Sequence, residues 1–185
     1  MEIDPAQLRI ELYPADILRK RADEVDVTPN VRAVGQRMLD LMAGADGIGL
    51  AAPQVGLPWR MFVAHVPPDE ERSAATDPPS ANDAPEVYIN PVFDAFEGTP
   101  EPLSEGCLSL PGVTGDVQRP PIVTMSWTTT DNQRVSRRAG GLLARCWQHE
   151  MDHLDGVLII DKMSDGSLRK ARSALRNLSR QAGLR

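Results

Sequence analysis

The sequence predicts an α+β fold, with mixed, mainly antiparallel sheets packed around a central buried helix and a C-terminal amphipathic helix. Three observations carry this expectation. Strand-like stretches lie among helical ones without a repeating strand-helix-strand rhythm, which disfavours a doubly wound parallel sheet. The helix expected over Leu142 to Leu154 is apolar around much of its circumference, as a core helix is. At 41% hydrophobic and 25% charged over 185 residues, the chain can bury a real core, and its length favours one domain spanning 1–185.

Residues 1 to 43 read as helical in two pieces. The second is the clearer: Thr28 stands as N-cap, Pro29 takes the first helical position, and Val31, Val34, Met38 and Leu41 recur at spacings of 3, 4 and 3 before Gly44. The segment Gly47 to Gly56, GIGLAAPQVG, holds three glycines and a proline and reads as irregular and closely packed. Trp59 to Val66 is strand-like by its aromatic and β-branched content. Pro67 to Pro85 carries five prolines and five acids without periodicity and reads as a surface loop inserted between strands. Strands are expected from Val87 (VYINPVF) and from Ile122 (IVTMSWTTT), with a turn at Asp131 to Gln133. Gly156 closes the Leu142 to Leu154 helix, and VLII after it reads as a short strand. From about Ser167, Leu168, Ala171, Leu175, Leu178 and Ala182 recur at spacings of 3 and 4, an amphipathic helix over 167–185.

Charge is unevenly placed. The net charge is -6, which argues against a surface built to coat nucleic acid and gives no sign of specific DNA binding. Yet Lys162 to Arg185 holds seven basic residues against the single acid Asp165. No stretch reaches the roughly 18 apolar residues of a membrane span, and the opening MEIDPAQLRIEL lacks the apolar core of a signal peptide. A cytoplasmic protein is expected. Its two cysteines, Cys107 and Cys146, make no disulfide framework at this length.

The strongest local signal is Gln148-His149-Glu150-Met151-Asp152-His153, a His-Glu-x-x-His pattern on an expected helix. At about 100° per residue, two histidines four apart project within about 40° of each other, so their imidazoles converge on one ion. Glu150 lies about 100° round from His149, beside the ion and free to handle protons. A catalytic site of this kind has three protein ligands and an open position. Cys146 shares the stripe of Leu142, His149 and His153, but its axial distance of about 10.5 Å from His153 suits a pocket wall better than a ligand. His65, in a strand-like segment, packs or faces solvent. Cys107 is the better candidate, set in Glu105-Gly106-Cys107-Leu108-Ser109-Leu110-Pro111-Gly112, where Gly and Pro allow an unusual backbone path to deliver a thiolate.

Three segments taken together, GIGLAAPQ at Gly47 to Gln54, EGCLS at Glu105 to Ser109 and QHEMDH at Gln148 to His153, resemble peptide deformylase. The resemblance extends to LYPADILR near the start, YINP at Tyr88 to Pro91, Arg119-Pro120 and HLDGVL, leaving out only the Pro67 to Pro85 loop and the far C-terminus. It implies a metal-dependent hydrolase that removes the formyl group from N-formyl-methionyl nascent polypeptides and releases formate. It implies Cys107, His149 and His153 as metal ligands and Glu150 as general acid and base. It further implies that the Gln54 amide and the Leu108 backbone N–H stabilise the oxyanion, that Gly49 binds the substrate backbone, and that Ile48, Leu103, Leu142 and Cys146 lie near the methionine pocket. Ferrous iron is the implied native metal, with zinc, nickel or cobalt able to take its place. In some bacterial relatives the C-terminal helix docks on the ribosome, and the basic tail here raises the same expectation.

Two positions depart from the pattern. Thr114 stands where some relatives offer an arginine to the substrate, and Arg145 puts a charge on the pocket-bearing helix, facing either solvent or the pocket. Glu105 and Arg119 form either a buried pair or two solvated groups. A zinc peptidase would share the His-Glu-x-x-His helix but not GIGLAAPQ and EGCLS. A non-enzymatic ribosome-binding module with a structural metal would need a fourth protein ligand, and only three good ones stand out.

Overall fold

The computed structural model describes residues 2–69 and 77–183. The middle of the Pro67 to Pro85 loop, at 70–76, and the last two residues of the expected C-terminal helix lie outside the described residues. Strands β1 (Gly49–Ala51), β2 (Met61–Ala64), β3 (Glu86–Glu97), β6 (Ile122–Thr128) and β7 (Arg134–Gly140) form an antiparallel sheet in the order β1-β2-β3-β6-β7. Strands β4 (Glu101–Gly106) and β5 (Thr114–Arg119) pair separately as a two-stranded sheet. The helices are α1 (Pro29–Gly44), α2 (Gly141–Leu154), the single turn α3 (Ile159–Lys162) and α4 (Asp165–Gln181). The α+β reading therefore holds. No helix among the described residues is long and apolar enough to cross a membrane.

The five-stranded sheet separates two cores. Helix α1 begins as its sequence dictates, with Thr28 Oγ1 accepting the Val31 N–H at 3.2 Å and Pro29 in the first turn. It lays Val31, Val34, Met38 and Met42 on one face of the sheet, against Leu50, Met61, Val63 and Ile89. Helix α2 covers the opposite face with Leu143, Trp147, Met151 and Leu154, against Phe62, Ala64, Tyr88, Val123 and Met125. Side chains alternate across a strand, so Met61 and Val63 serve one core while Phe62 and Ala64 serve the other. That is why MFVA is apolar at every position and buried throughout. Aromatic residues are only 4% of the chain, yet they gather behind α2: Phe62 stacks on Tyr88 at 4.6 Å, and Tyr88 meets Trp127 at 4.9 Å and Trp147 at 5.6 Å.

A third cluster joins β5 to the C-terminal helices through Val117, Leu158, Ile159, Met163, Ala171 and Leu178. Helix α4 starts two residues earlier than the pattern placed it, because Ser164 Oγ accepts the Ser167 N–H at 3.2 Å as its N-cap. The N-terminus of α2 has no side-chain cap. The Ser80 carbonyl accepts the Leu143 N–H at 3.0 Å instead, and Ser80 and Asn82 are buried.

Three local readings are corrected. The region before α1 makes two short 3-10 turns, Pro5–Gln7 and Asp16–Arg19, because its prolines and scattered apolar residues leave too little uninterrupted length for an α-helix. GIGLAAPQVG is regular in part, since Gly49–Ala51 pairs with Phe62, Val63 and Ala64 before Ala52–Val55 makes a 3-10 turn. VLII is not a strand: Ile159 opens α3, whose Asp161 carboxylate accepts the Leu158 N–H at 2.8 Å.

The reversal after α2 depends on Gly156, at φ +73, where a Cβ would lie 2.6 Å from the Arg19 carbonyl oxygen. Gly156→Ala is expected to cost about 1–3 kcal/mol in chemical unfolding monitored by circular dichroism, with no change in the metal content of the folded protein.

Candidate active site

Helix α2 places His149 and His153 one turn apart, with ring centroids 5.0 Å from each other. The turn after β4 brings Cys107 across to them, with Sγ 3.2 Å from His153 Nε2. One donor atom from each of Cys107, His149 and His153 lies within 4.8 Å of the others. Tetrahedral coordination with bonds of about 2.0–2.3 Å needs donors separated by about 3.3–3.8 Å, so this set fits a single ion after small adjustment. Cys146 is not part of it. Its thiol lies 3.4 Å from the Ile48 carbonyl and lines the neighbouring cavity, as the axial spacing required. His65 is absent from the cluster, and its N–H serves the sheet by bonding the Ile48 carbonyl.

Behind the cluster, Glu105 is almost fully buried and meets three partners at once. Arg119 donates to its two oxygens from Nε and Nη2 at 2.6 and 2.8 Å, Arg145 donates from Nη1 at 2.8 Å, and His149 Nδ1 lies 3.1 Å from Oε2. Burial acts against the charge, but hydrogen bonds from Arg119 and His149 hold the Glu105 carboxyl well below the usual carboxylate range. An ionised carboxylate only accepts, so it fixes the His149 proton on Nδ1 and leaves Nε2 as the donor to an ion. Arg119 is held from its other side by Asp152 at 2.9 Å, and Lys162 also reaches Asp152, at 2.6 Å. The Glu105 and Arg119 pair is thus buried rather than solvated.

Glu150 is fully enclosed, and its Oε2 has no protein partner among the described residues. Burial raises its carboxyl to about 7, while the charges of His149 and Arg119 pull the other way, and an adjacent cation would add to that downward pull. Gly49 faces it closely. A Cβ at Gly49 would collide with Glu150 Oε1 and lie 2.9 Å from Cys146 Sγ, so only glycine lets β1 pass this near the helix. Gln54 is locked through its carbonyl oxygen, which accepts the Ala51 N–H at 2.8 Å. Its amide nitrogen donates to Ser109 Oγ at 3.1 Å and sits 3.5 Å from Cys107 Sγ.

These groups open onto a cavity of about 400 Å³ whose walls include Ile48, Gly49, Gln54, Leu103, Cys107, Leu108, Leu142, Cys146, His149 and Glu150. Every residue expected at the site therefore lies in or against one cavity except His153, which is buried behind Cys107. Thr114 is not among the wall residues, whereas Arg145 is. Arg145 bounds the cavity with its guanidinium turned to β4 and β5, donating to the carbonyls of Glu101 at 2.8 Å and Val117 at 2.9 Å. Two contributions were not anticipated from the sequence. Ser109 accepts from Gln54, and Asp152 fastens Arg119; both lie inside quoted motifs, but only tertiary contact discloses their partners.

A family model described as Polypeptide deformylase matches residues 7–169 of the chain. The chain is 41% identical over 150 residues to Peptide deformylase 2 of Gloeobacter violaceus, covering 80% of this chain and 75% of that protein. It is 38% identical over 176 residues to a peptide deformylase of Christiangramia forsetii, covering 94% and 90%. Among solved structures, peptide deformylase of Plasmodium falciparum superposes with a TM-score of 0.83 at 35% identity, covering 94% of this chain and 96% of that one. The enzyme of Ehrlichia chaffeensis superposes with a TM-score of 0.84 at 30% identity, covering 95% and 96%.

Removing the charge of Glu105 leaves two buried guanidinium groups short of an anion and frees the His149 ring. Glu105→Gln is expected to cost about 3–5 kcal/mol in chemical unfolding and to weaken metal binding about 10–100-fold in a chelator competition.

Proposed function

The chain belongs to the polypeptide deformylase family, whose members are metal-dependent hydrolases that remove the N-terminal formyl group from nascent polypeptides. On that premise we propose that Cys107, His149 and His153 hold one divalent ion and that Glu150, Gln54 and the Leu108 N–H carry out deformylation of N-formyl-methionyl chains. The observation that carries this reading is the convergence of the three donor atoms on one another, with Cys107 and His149 lining the same cavity as Glu150 and Gln54. When bound, the ion supplies Lewis acidity to the formyl carbonyl and makes a water acidic enough to ionise near neutral pH.

The protein's own groups do the rest. The methionine side chain enters the cavity between Ile48, Leu103, Leu142 and Cys146, while Gly49 leaves its strand edge open to the substrate backbone. Water adds to the formyl carbon as Glu150 accepts its proton. Negative charge collects on the formyl oxygen and is met by the Gln54 amide, prefixed by its Ala51 and Ser109 bonds, and by the Leu108 N–H. The C–N bond breaks, Glu150 returns the proton to the departing nitrogen, and formate and a free N-terminal methionine leave.

Ferrous iron is the native ion in this reading. A thiolate with two imidazoles also accepts zinc, nickel or cobalt, and the cellular supply selects among them. The reaction belongs in the cytoplasm, where nascent chains emerge. Helix α4 supports docking on the ribosome: Ala171 and Leu178 anchor it to the body, while Arg169, Lys170, Arg172, Arg176 and Arg180 stand exposed. Such an array binds phosphate-rich surfaces in a salt-dependent way.

Anaerobically purified protein is expected to release formate from a formyl-Met dipeptide with about one ion per chain; a folded, fully metallated sample with no release overturns the reading. Glu150→Gln is expected to keep its metal and lose at least about 100-fold in kcat, and near-normal turnover in that variant removes Glu150 from the mechanism. Reversing the charges of Arg169, Arg172 and Arg176 to Glu is expected to abolish co-sedimentation with ribosomes at low salt while formate release from the dipeptide stays unchanged.

A further inference from the structure

The wall of the cavity opposite α2 is weakly built. Strand β4 belongs to the two-stranded sheet alone, is exposed along Glu101 to Ser104, and presents Leu103 to the cavity mouth at 51% exposure. Its partner β5 is held from outside, where the Ser164 N–H bonds the Asp116 carbonyl and the Asp116 N–H bonds Ser167 Oγ, both at 3.1 Å. From inside, the sheet is tied to α2 by two arginines. Arg119 ties its far end to Asp152. Arg145 spans the cavity side, and its fork bonds the Glu101 carbonyl on β4, the Val117 carbonyl on β5 and the Glu105 carboxylate. Three acceptors on two strands fix the guanidinium in position and plane, which a single-point ammonium does not reproduce. Only 10% of the Arg145 side chain is exposed, and the residue lines the cavity beside Leu142 and Cys146.

We propose that Arg145 is a positioning residue that determines specificity: by clamping β4 and β5 to α2 it sets the width of the cavity that takes the substrate's first side chain. The proposal rests on the deformylase reading. A clamp of this kind acts on the binding of the side chain rather than on the bond that breaks, so its loss appears in KM and in the choice of side chain. Glu105 keeps both bonds from Arg119 when Arg145 is changed, so the orientation of His149 survives.

The test compares the metal-loaded full chain with Arg145→Met and Arg145→Lys, measuring formate release from formyl-Met, formyl-norleucine and formyl-Phe dipeptides, with metal content determined for each sample. In Arg145→Met, KM for formyl-Met is expected to rise about 10-fold while kcat changes by less than about three-fold, and the preference for Met over Phe falls by a similar factor. Arg145→Lys is expected to recover part of both losses, and amide exchange at Leu103 and Ser104 is expected to be faster in both variants. Unchanged KM, preference and exchange overturn the proposal, and so does a fall in kcat alone, which would place the action of Arg145 on Glu105 and His149. If Arg145→Met does not fold, Arg145→Lys decides, because wild-type KM and exchange in that variant refute the need for the fork. Absence of formate release from the metal-loaded unmodified chain instead defeats the deformylase reading itself.

Discussion

One buried carboxylate holds the site and its surroundings together. Glu105 accepts from Arg119 and Arg145 and faces His149, so a single negative charge joins β4, β5 and α2 and also sets the tautomer of the His149 ring. Taken from water alone, such a charge is costly; with two guanidinium groups and an imidazole around it, each lone pair finds a donor. The arrangement explains why EGC and HEMDH travel together in this sequence. Glu105 and Cys107 are two residues apart, and the carboxylate holds one histidine of the pair, His149, while the Cys107 sulfur lies against the other, His153.

The frame around this charge is a sheet loaded on both faces. Helix α1 and helix α2 compress β2 and β3 between two apolar cores, and the aromatic cluster of Phe62, Tyr88, Trp127 and Trp147 stiffens the back of α2. The front of α2 is then free to carry polar groups. Its buried residues include Arg145, Gln148, Glu150 and His153, an unusual polar load for one helix, and the Arg145 guanidinium and the Gln148 amide nitrogen are bonded within the protein. Among the described residues the buried side-chain atoms without a protein partner are Arg37 Nε, Trp147 Nε1, Glu150 Oε2 and His153 Nδ1, and of these residues only Glu150 lines the cavity, where a substrate or water brings a new partner.

Much of this was legible in the sequence. The helical spacing of His149 and His153 foretold their convergence, Thr28-Pro29 foretold the start of α1, and the axial rise along the helix separated Cys146 from the cluster of Cys107, His149 and His153. What escaped was tertiary. The VLII stretch has strand composition, but its place is set by Asp161, whose carboxylate folds back on the Leu158 N–H. The pairing of Gly49–Ala51 with β2 was hidden by glycines that serve close approach to Glu150 rather than flexibility. The direction of Arg145 was undecidable from the sequence because its acceptors are two main-chain carbonyls, 28 and 44 residues away, which no side-chain pattern records.

Strand β2 carries a further consequence. Met61, Phe62, Val63 and Ala64 are apolar and buried on both faces, so hydrophobicity alone does not tell this strand which way to face. A slip of one residue would exchange the side chains given to the two cores without exposing any of them to water. What distinguishes the native register is volume: Phe62 fills the space against Tyr88, and Ala64 leaves room on the same face. Evolution of this strand is therefore constrained by size order rather than by polarity. Exchanges that preserve hydropathy but level the sizes of its residues would blur the identity of the strand's two sides, and with it the placement of the β1 edge that borders the cavity.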